Sequence, residues 1–164
     1  GQQISVKAAK SVWGKLASCQ VDTPQKLLSS SDKVLKDSGL SRQKIQYIKD
    51  LASKILEGSL ILENLNSLSY DNAHRMLTNV KGIGDWTADI YQLFVLCDMD
   101  AFPQGDIAVQ EGARRFFKLE KRPSPKILLN LVEKWRPLRG AGALVMWQIY
   151  RIEIHEGNIV NKNN

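Results

Sequence analysis

With 164 residues, the chain is about the size of one ordinary domain, long enough to bury roughly 70% of its extended surface around a single core. Its longest apolar runs, 93–97 and 143–147, fall far short of the ~20 residues that span a bilayer, and its first residues show no basic region followed by an apolar block. These features predict a soluble, intracellular protein, unless a leader has been removed. The net charge of +6 is unevenly spread: residues 114–139 hold nine Lys or Arg against Glu120 and Glu133, a segment charge of +7 that leaves −1 elsewhere. Such a local basic field suits a polyanion, with solvated helix faces as the plain alternative for any one residue. Cys19 and Cys97 are too few for a disulfide scaffold or a four-cysteine cluster. Both fall in apolar helical patterns and are expected as buried, reduced thiols.

Apolar residues recur with helical period over 2–18 (Ile4, Ala8, Ala9, Val12, Trp13, Leu16), with Gly1-Gln2-Gln3 as the entering loop. Thr23-Pro24, a capping side chain followed by proline at the first helical position, opens a short helix through Leu28. Ser30 or Ser31 caps the next, which ends near Gly39. Ser41 starts the clearest amphipathic helix, 42–57, with Ile45, Ile48, Ala52, Ile55 and Leu56 on one stripe and Gly58 at its end. Lys44, Lys49 and Lys54 lie on its solvated side. Residues 60–68 read as a connector, Ser69 caps a helix over 70–79, and a second helix over 85–98 opens at Asp85. Asp106 begins a helix over 107–117, 118–124 is a basic loop, Ser124-Pro125 caps a helix to Trp135, and a last helix runs over 140–154. No segment has the period of a strand and no internal repeat is present, so the fold class is all-α. Neither His74 nor His155 has Cys, Asp or Glu at metal-ligand spacing, and no zinc site is expected.

One junction stands apart. In Val80-Lys81-Gly82-Ile83-Gly84-Asp85-Trp86-Thr87-Ala88, the pattern of one helix (Ala73, Met76, Leu77, Val80) runs into Gly-x-Gly, and the next (Trp86, Ile90, Leu93, Phe94, Cys97) starts at once. Two helices must flank a very tight turn, a helix-hairpin-helix over 78–88. Glycines without Cβ let the backbone press against a ligand, and the second helix offers unpaired N–H groups and its positive dipole end there. Such a turn suits a phosphate. Lys81 adds charge, whereas Asp85 at the helix start suits capping but weakens that attraction.

Gly-Ile-Gly-Asp-Trp-Thr-Ala (82–88) together with Phe-Pro-Gln-Gly-Asp (102–106) closely resembles the helix-hairpin-helix DNA glycosylase superfamily, and within it the alkylpurine branch. The resemblance extends from Gln2 to Trp147. Members of that family normally carry several dozen residues before the Gln-Gln-x-Ser segment. The resemblance therefore implies either a partial chain or a shortened member lacking the family's N-terminal helices. It also implies a wedge at Gln3, which would fill the gap left by an extruded nucleotide, against the bland reading of a polar residue opening a helix.

Breaking an N-glycosidic bond builds positive charge on the deoxyribose, so an enzyme needs an anion near C1′ and a pocket for the base. By itself, an aspartate after glycine at a helix start is an N-cap. By the resemblance, Asp106 is the catalytic carboxylate, and the two roles are compatible. An alkylated purine is cationic and already labile, so an aromatic pocket can select it. Trp86 and Trp147 are the base-pocket candidates by the resemblance, with core packing as the ordinary alternative. Where superfamily members that also cut the backbone carry a nucleophilic lysine, this chain has Trp86, which implies a monofunctional enzyme leaving an abasic site. The missing four-cysteine pattern argues against an iron-sulfur cluster. The resemblance assigns DNA anchoring to Lys81, Gly82, Ile83, Gly84 and Thr87. It also allows a structural Na⁺ or K⁺ on the carbonyls of Thr78, Val80 and Ile83, with no other cofactor required. The implied partner is double-stranded DNA containing alkylated bases, bound by a monomer with no membrane involved, in the nucleoid or the nucleus. The competing reading is a non-catalytic helix-hairpin-helix DNA-binding module, for which Gly82 and Gly84 would matter and Asp106 would not.

Overall fold

The computed structural model describes residues 5–160, the side chains of Val6 and 153–160 excepted, so the wedge expected at Gln3 lies outside the described residues. Among the described residues every regular element is helical: α1 (Val6–Ser18), α2 (Pro24–Ser29), α3 (Asp32–Asp37), α4 (Arg42–Leu56), α5 (Tyr70–Thr78), α6 (Asp85–Phe94), α7 (Ile107–Phe116), α8 (Pro125–Val132) and α9 (Arg139–Val160). Two 3₁₀ turns, Leu62–Ser67 and Glu133–Trp135, sit where the sequence predicts a connector and the end of a helix. The chain forms two compact units: Gly1–Ser67 with Thr78–Gly82, and Leu68–Leu77 with Ile83–Asn164.

In the first unit, the helix starts are where hydroxyl side chains can satisfy orphan N–H groups. Ser5, Thr23, Ser31 and Ser41 each accept from the backbone N–H three residues on. Leu16, Val21, Leu35 and Ile45 are buried together, with Val12, Leu27 and Leu40 packed against them. Two details of the helical patterns are corrected. Trp13, counted among the apolar positions of α1, is 59% exposed. Lys49, expected to be solvated, reaches across to Asp32 with its Nζ 2.6 Å from Oδ1. Gly82 belongs to this unit and has φ +91°, and a Cβ there would fall 2.3 Å from Cδ2 of Tyr47. The backbone conformation and the Tyr47 ring each demand glycine.

The second unit is built on α7 crossing α9, with α8 alongside. Phe102, Val109, Ala113, Leu128, Val132, Ala143 and Met146 form its core, and Phe117, Leu129, Trp135 and Trp147 close around them. Leu128 is fully buried, so its truncation to alanine would cost about 2–5 kcal/mol. At Gly112 a Cβ would lie 2.1 Å from the Met146 carbonyl oxygen, so the two helices touch backbone to backbone there.

Helix α6 ends at Phe94, four residues earlier than the sequence pattern predicts. Cys97 adopts φ +55°, and the Asp98 N–H turns back to the Gln92 carbonyl at 3.0 Å, which closes the helix and leaves Phe94 and Val95 exposed. The expectation of buried thiols is also corrected: Cys97 lies in this terminating turn and Cys19 at the cap of α1, both exposed.

Candidate active site

Asp106 stands at the end of a tightly pinned loop. The loop follows the turn that closes α6 and is pinned from Asp98, whose Oδ1 accepts the Asp100 N–H (2.9 Å) and whose carbonyl accepts the Ala101 N–H (3.1 Å). Ala101, Phe102 and Pro103 are then buried, and the Gln104 carbonyl accepts from Nε2 of Gln110 at 2.8 Å. Asp106 donates its own N–H to the Pro103 carbonyl (2.9 Å) and caps α7, its Oδ1 accepting the Val109 N–H at 2.9 Å. A proline, a glycine and an aspartate in this order give a fixed φ, a turn and a cap, and that sets the carboxylate at the positive end of a ten-residue helix.

Two indoles converge on that carboxylate. Trp86, on the first turn of α6, donates Nε1–H to Oδ2 at 2.7 Å. Trp147, on α9, donates Nε1–H to Oδ1 at 3.1 Å. Asp106 therefore accepts three N–H bonds, which fix its plane. The residues that the sequence singled out as carboxylate and base-pocket aromatics, from three separated stretches, meet at hydrogen-bonding distance. Asp106 is itself only half-buried and Trp86 is 38% exposed, so the site is open to solvent. Phe94 stacks on Trp147 with ring centroids 5.9 Å apart and planes at 28°, while remaining 56% exposed. Its role was not legible beforehand because a phenylalanine in an apolar helical pattern reads as core. Only its exposure separates it from that class.

At the hairpin, α5 and α6 are separated by six residues, and Gly84 is the N-cap of α6 without a side-chain hydrogen bond. A Cβ on Gly84 would meet nothing within 4 Å, and its φ of −98° and ψ of 175° suit any residue. Among the described residues nothing therefore requires glycine at 84, in contrast to Gly82. Lys81 is exposed. Asp85 is 81% exposed and provides no N-cap bond; its Oδ1 lies 3.7 Å from His74 Nε2. One turn on, Asp89 is buried (2% exposed), accepts the Tyr70 hydroxyl at 2.6 Å and lies 3.5 Å from His74 Nε2. Burial pushes the Asp89 carboxyl up to about 6 against the opposing pull of Tyr70 and His74, and burial beside that carboxylate also raises the Tyr70 phenol. Among the described residues, no group of three or more His, Cys, Asp or Glu is arranged to hold a metal ion.

The basic segment is less available than its count implies. Arg139 is 5% exposed and, with Arg136, is bound to Asp100. Arg114 and Arg122 lie 2.9 and 3.8 Å from Glu111. Lys118, Lys121 and Lys126 are exposed. The partners Asp100 and Glu111 lie outside the window in which the charge was counted, so the sequence offered no sign of the pairing.

A family profile described as HhH-GPD superfamily base excision DNA repair protein matches residues 1–137. The chain is 28% identical over 156 residues to DNA-3-methyladenine glycosylase 1 of Schizosaccharomyces pombe, covering 92% of this chain and 68% of that protein. Its fold is similar to a DNA-3-methyladenine glycosidase from Bacillus halodurans, with TM-score 0.82, 29% identity and 91% and 70% of the two chains covered. It is likewise similar to the S. pombe 3-methyladenine DNA glycosylase solved in complex with abasic DNA, with TM-score 0.81, 28% identity and 90% and 74% covered. The chain spans between 40% and 74% of the length of the first curated relatives it matches. No helix among the described residues is long and apolar enough to cross a membrane. With the profile matching most of its length and an all-helical structure bearing the hairpin and the aspartate, this chain belongs to the HhH-GPD superfamily of base excision DNA repair proteins.

Proposed function

We propose that the protein is a monofunctional DNA glycosylase that hydrolyses the N-glycosidic bond of alkylated purines, of the 3-methyladenine type, extruded from duplex DNA, and that residues 1–164 act as one such domain. The observation that carries this reading is the Asp106 carboxylate held between the indole N–H groups of Trp86 and Trp147. The names of the relatives and the abasic DNA bound to one of them point the same way.

The purine enters beside Trp86 and Trp147, whose electron-rich faces favour a cationic ring. As the bond from C1′ to the purine nitrogen breaks, its electron pair neutralises the alkylated base, which leaves as a neutral molecule. Positive charge builds on the sugar, and the Asp106 carboxylate, already oriented by three donors, stabilises it without reorganising. Water adds to C1′ and loses its proton toward the carboxylate or solvent, leaving an abasic site. Trp86 offers no amine, so no Schiff base forms and the strand stays intact. This chemistry requires no redox centre or organic cofactor.

DNA is anchored by Lys81, Gly82, Ile83, Gly84 and Thr87, with Gln3 as the wedge. Support comes from Gly84, where no internal contact accounts for glycine and an approaching phosphate would. The carbonyls of Thr78, Val80 and Ile83 are neutral, hard oxygen donors of the kind a Na⁺ or K⁺ ion takes, and a bound ion would add positive charge facing that phosphate. The protein acts as a monomer where the genome is, in the nucleoid or the nucleus, depending on the source.

The test is excision from duplex oligonucleotides carrying single alkylated purines. The parent should give strand breaks only after alkali. Asp106→Asn should lose turnover by about a hundredfold or more while still binding DNA. Equal turnover by the variant would remove Asp106 from the reaction, and no breaks from either protein, with salt-dependent DNA binding intact, would favour the non-catalytic binding module.

A further inference from the structure

The Asp106 loop and α9 are joined a second time, well away from the carboxylate. Arg139, the first residue of α9, donates from Nε to Oδ1 of Asp100 (2.8 Å) and from Nη2 to Oδ2 (2.7 Å), a bidentate pair. Its Nη2 also reaches the Asp100 carbonyl and its backbone N–H the Oδ1, each at 3.3 Å. Arg136 Nη1 adds a bond to Oδ2 at 2.7 Å, and the Gly140 N–H donates to the Met99 carbonyl at 2.7 Å. A Cβ on Gly140 would lie 2.7 and 2.8 Å from the Met99 and Ala101 carbonyl oxygens, so the start of α9 is pressed onto the loop backbone. Six residues after Asp100 the loop delivers Asp106. Eight residues after Arg139, ~12 Å along the helix, α9 delivers Trp147. The ring closes where Trp147 Nε1 meets Asp106 Oδ1.

We infer that the Asp100–Arg139 clasp is a positioning device for the proposed glycosylase reaction, setting the register of α9 against the loop so that the Trp147 indole meets the Asp106 carboxylate. This rests on the function proposed above. Arg139 is 5% exposed, so its side chain is inaccessible to DNA and acts only through the elements it joins. The geometry has little tolerance: a 3.1 Å bond is lost when α9 slides by about an ångström, and a misplacement of that size can cost up to about a hundredfold in rate. The fork shape of the guanidinium matters as well as its charge, because only a planar, bidentate donor fixes both translation and rotation.

The test uses the full chain and Arg139→Lys, which keeps the charge and loses the fork, with Asp100→Asn as a second variant should the first not fold. The single-turnover excision rate per folded molecule should fall about tenfold or more, with Kd for duplex containing an abasic site unchanged. The Trp147 indole N–H resonance, identified by its loss in Trp147→Phe, should shift in a ¹⁵N spectrum. In an Asp106→Asn background, Arg139→Lys should cost nothing further. A merely structural ion pair would lower Tm and leave both the rate and the resonance unmoved, which would overturn the inference. If the parent excises no base, the proposed function fails, and the indole resonance alone then decides whether the clasp sets the indole.

Discussion

At the residue scale, the feature that distinguishes Asp106 from an ordinary helix cap is its second oxygen. Oδ1 caps α7 as any N-terminal aspartate would, while Oδ2 is held by Trp86 from a helix twenty residues upstream. A hydrogen bond to a charged group is worth about 1.5–3 kcal/mol, so replacing either indole with a ring that lacks the donor should slow chemistry about ten- to a hundredfold. Trp86→Phe and Trp147→Phe keep most of the apolar surface and should largely preserve affinity for the damaged duplex while lowering the single-turnover rate. Unchanged rates in both variants would mean that the indoles are packing residues and that Asp106 is aimed by its cap alone. The residues at 102–106 made the helix cap at Asp106 legible in the sequence, and the family resemblance singled it out as the candidate carboxylate. The convergence of the two tryptophans was suggested by family resemblance, because no local pattern says which face of α9 meets the start of α7.

At the scale of the element, the two hairpin glycines separate into different causes. Gly82→Ala should destabilise the protein by about 1–3 kcal/mol, because its φ of +91° and the Tyr47 ring leave no room for a methyl group. Thermal unfolding should show a lowered Tm. Gly84→Ala should unfold at the parent temperature and yet bind DNA more weakly, since its methyl meets only an external partner. If Gly84→Ala binds DNA as the parent does, the hairpin is not the anchoring turn. Both glycines look alike in the sequence; the difference appears only when the side chains around each are in place. The early end of α6 has a similar origin. Its apolar pattern continues to Cys97, but the turn at 97–98 stops the helix and exposes Phe94, which then stacks on Trp147.

At the scale of the whole molecule, charge and pH come into play. Asp89 is buried with a carboxyl raised to about 6, above its ordinary 3.8, so the folded state holds this proton where the unfolded chain has lost it. Its contribution to stability is present below pH ~4 and is lost as pH rises to ~6, on the order of 3 kcal/mol at most. Asp100 behaves in the opposite sense: burial works to raise it, but the bonds from Arg139 outweigh that and hold it below the usual range. Its stabilisation is present above the unfolded value and is lost as pH falls below ~4. Denaturant unfolding from pH 4 to 7 should therefore show a decline between pH 4 and 6 that Asp89→Asn flattens. A parent and variant with parallel profiles would show that Asp89 titrates as an exposed carboxylate does.

The sequence by itself determined the all-helical class, most helix starts and the hairpin, because caps, prolines, glycines and the 3.6-residue period act within a few residues of chain. Its local chemistry also placed Asp106 at a helix cap, while a catalytic role for that aspartate came from the family resemblance of 102–106 alone. What the tertiary structure decided lies between distant segments: the two indoles on one carboxylate, the exposed Phe94 stacked on Trp147, the buried Asp89 under Tyr70, and Asp100 holding Arg139. Each depends on which side chains share a volume of a few ångströms after packing. A basic count over 114–139 records charge but not partners, and four of its arginines, Arg114, Arg122, Arg136 and Arg139, are paired with carboxylates within the fold.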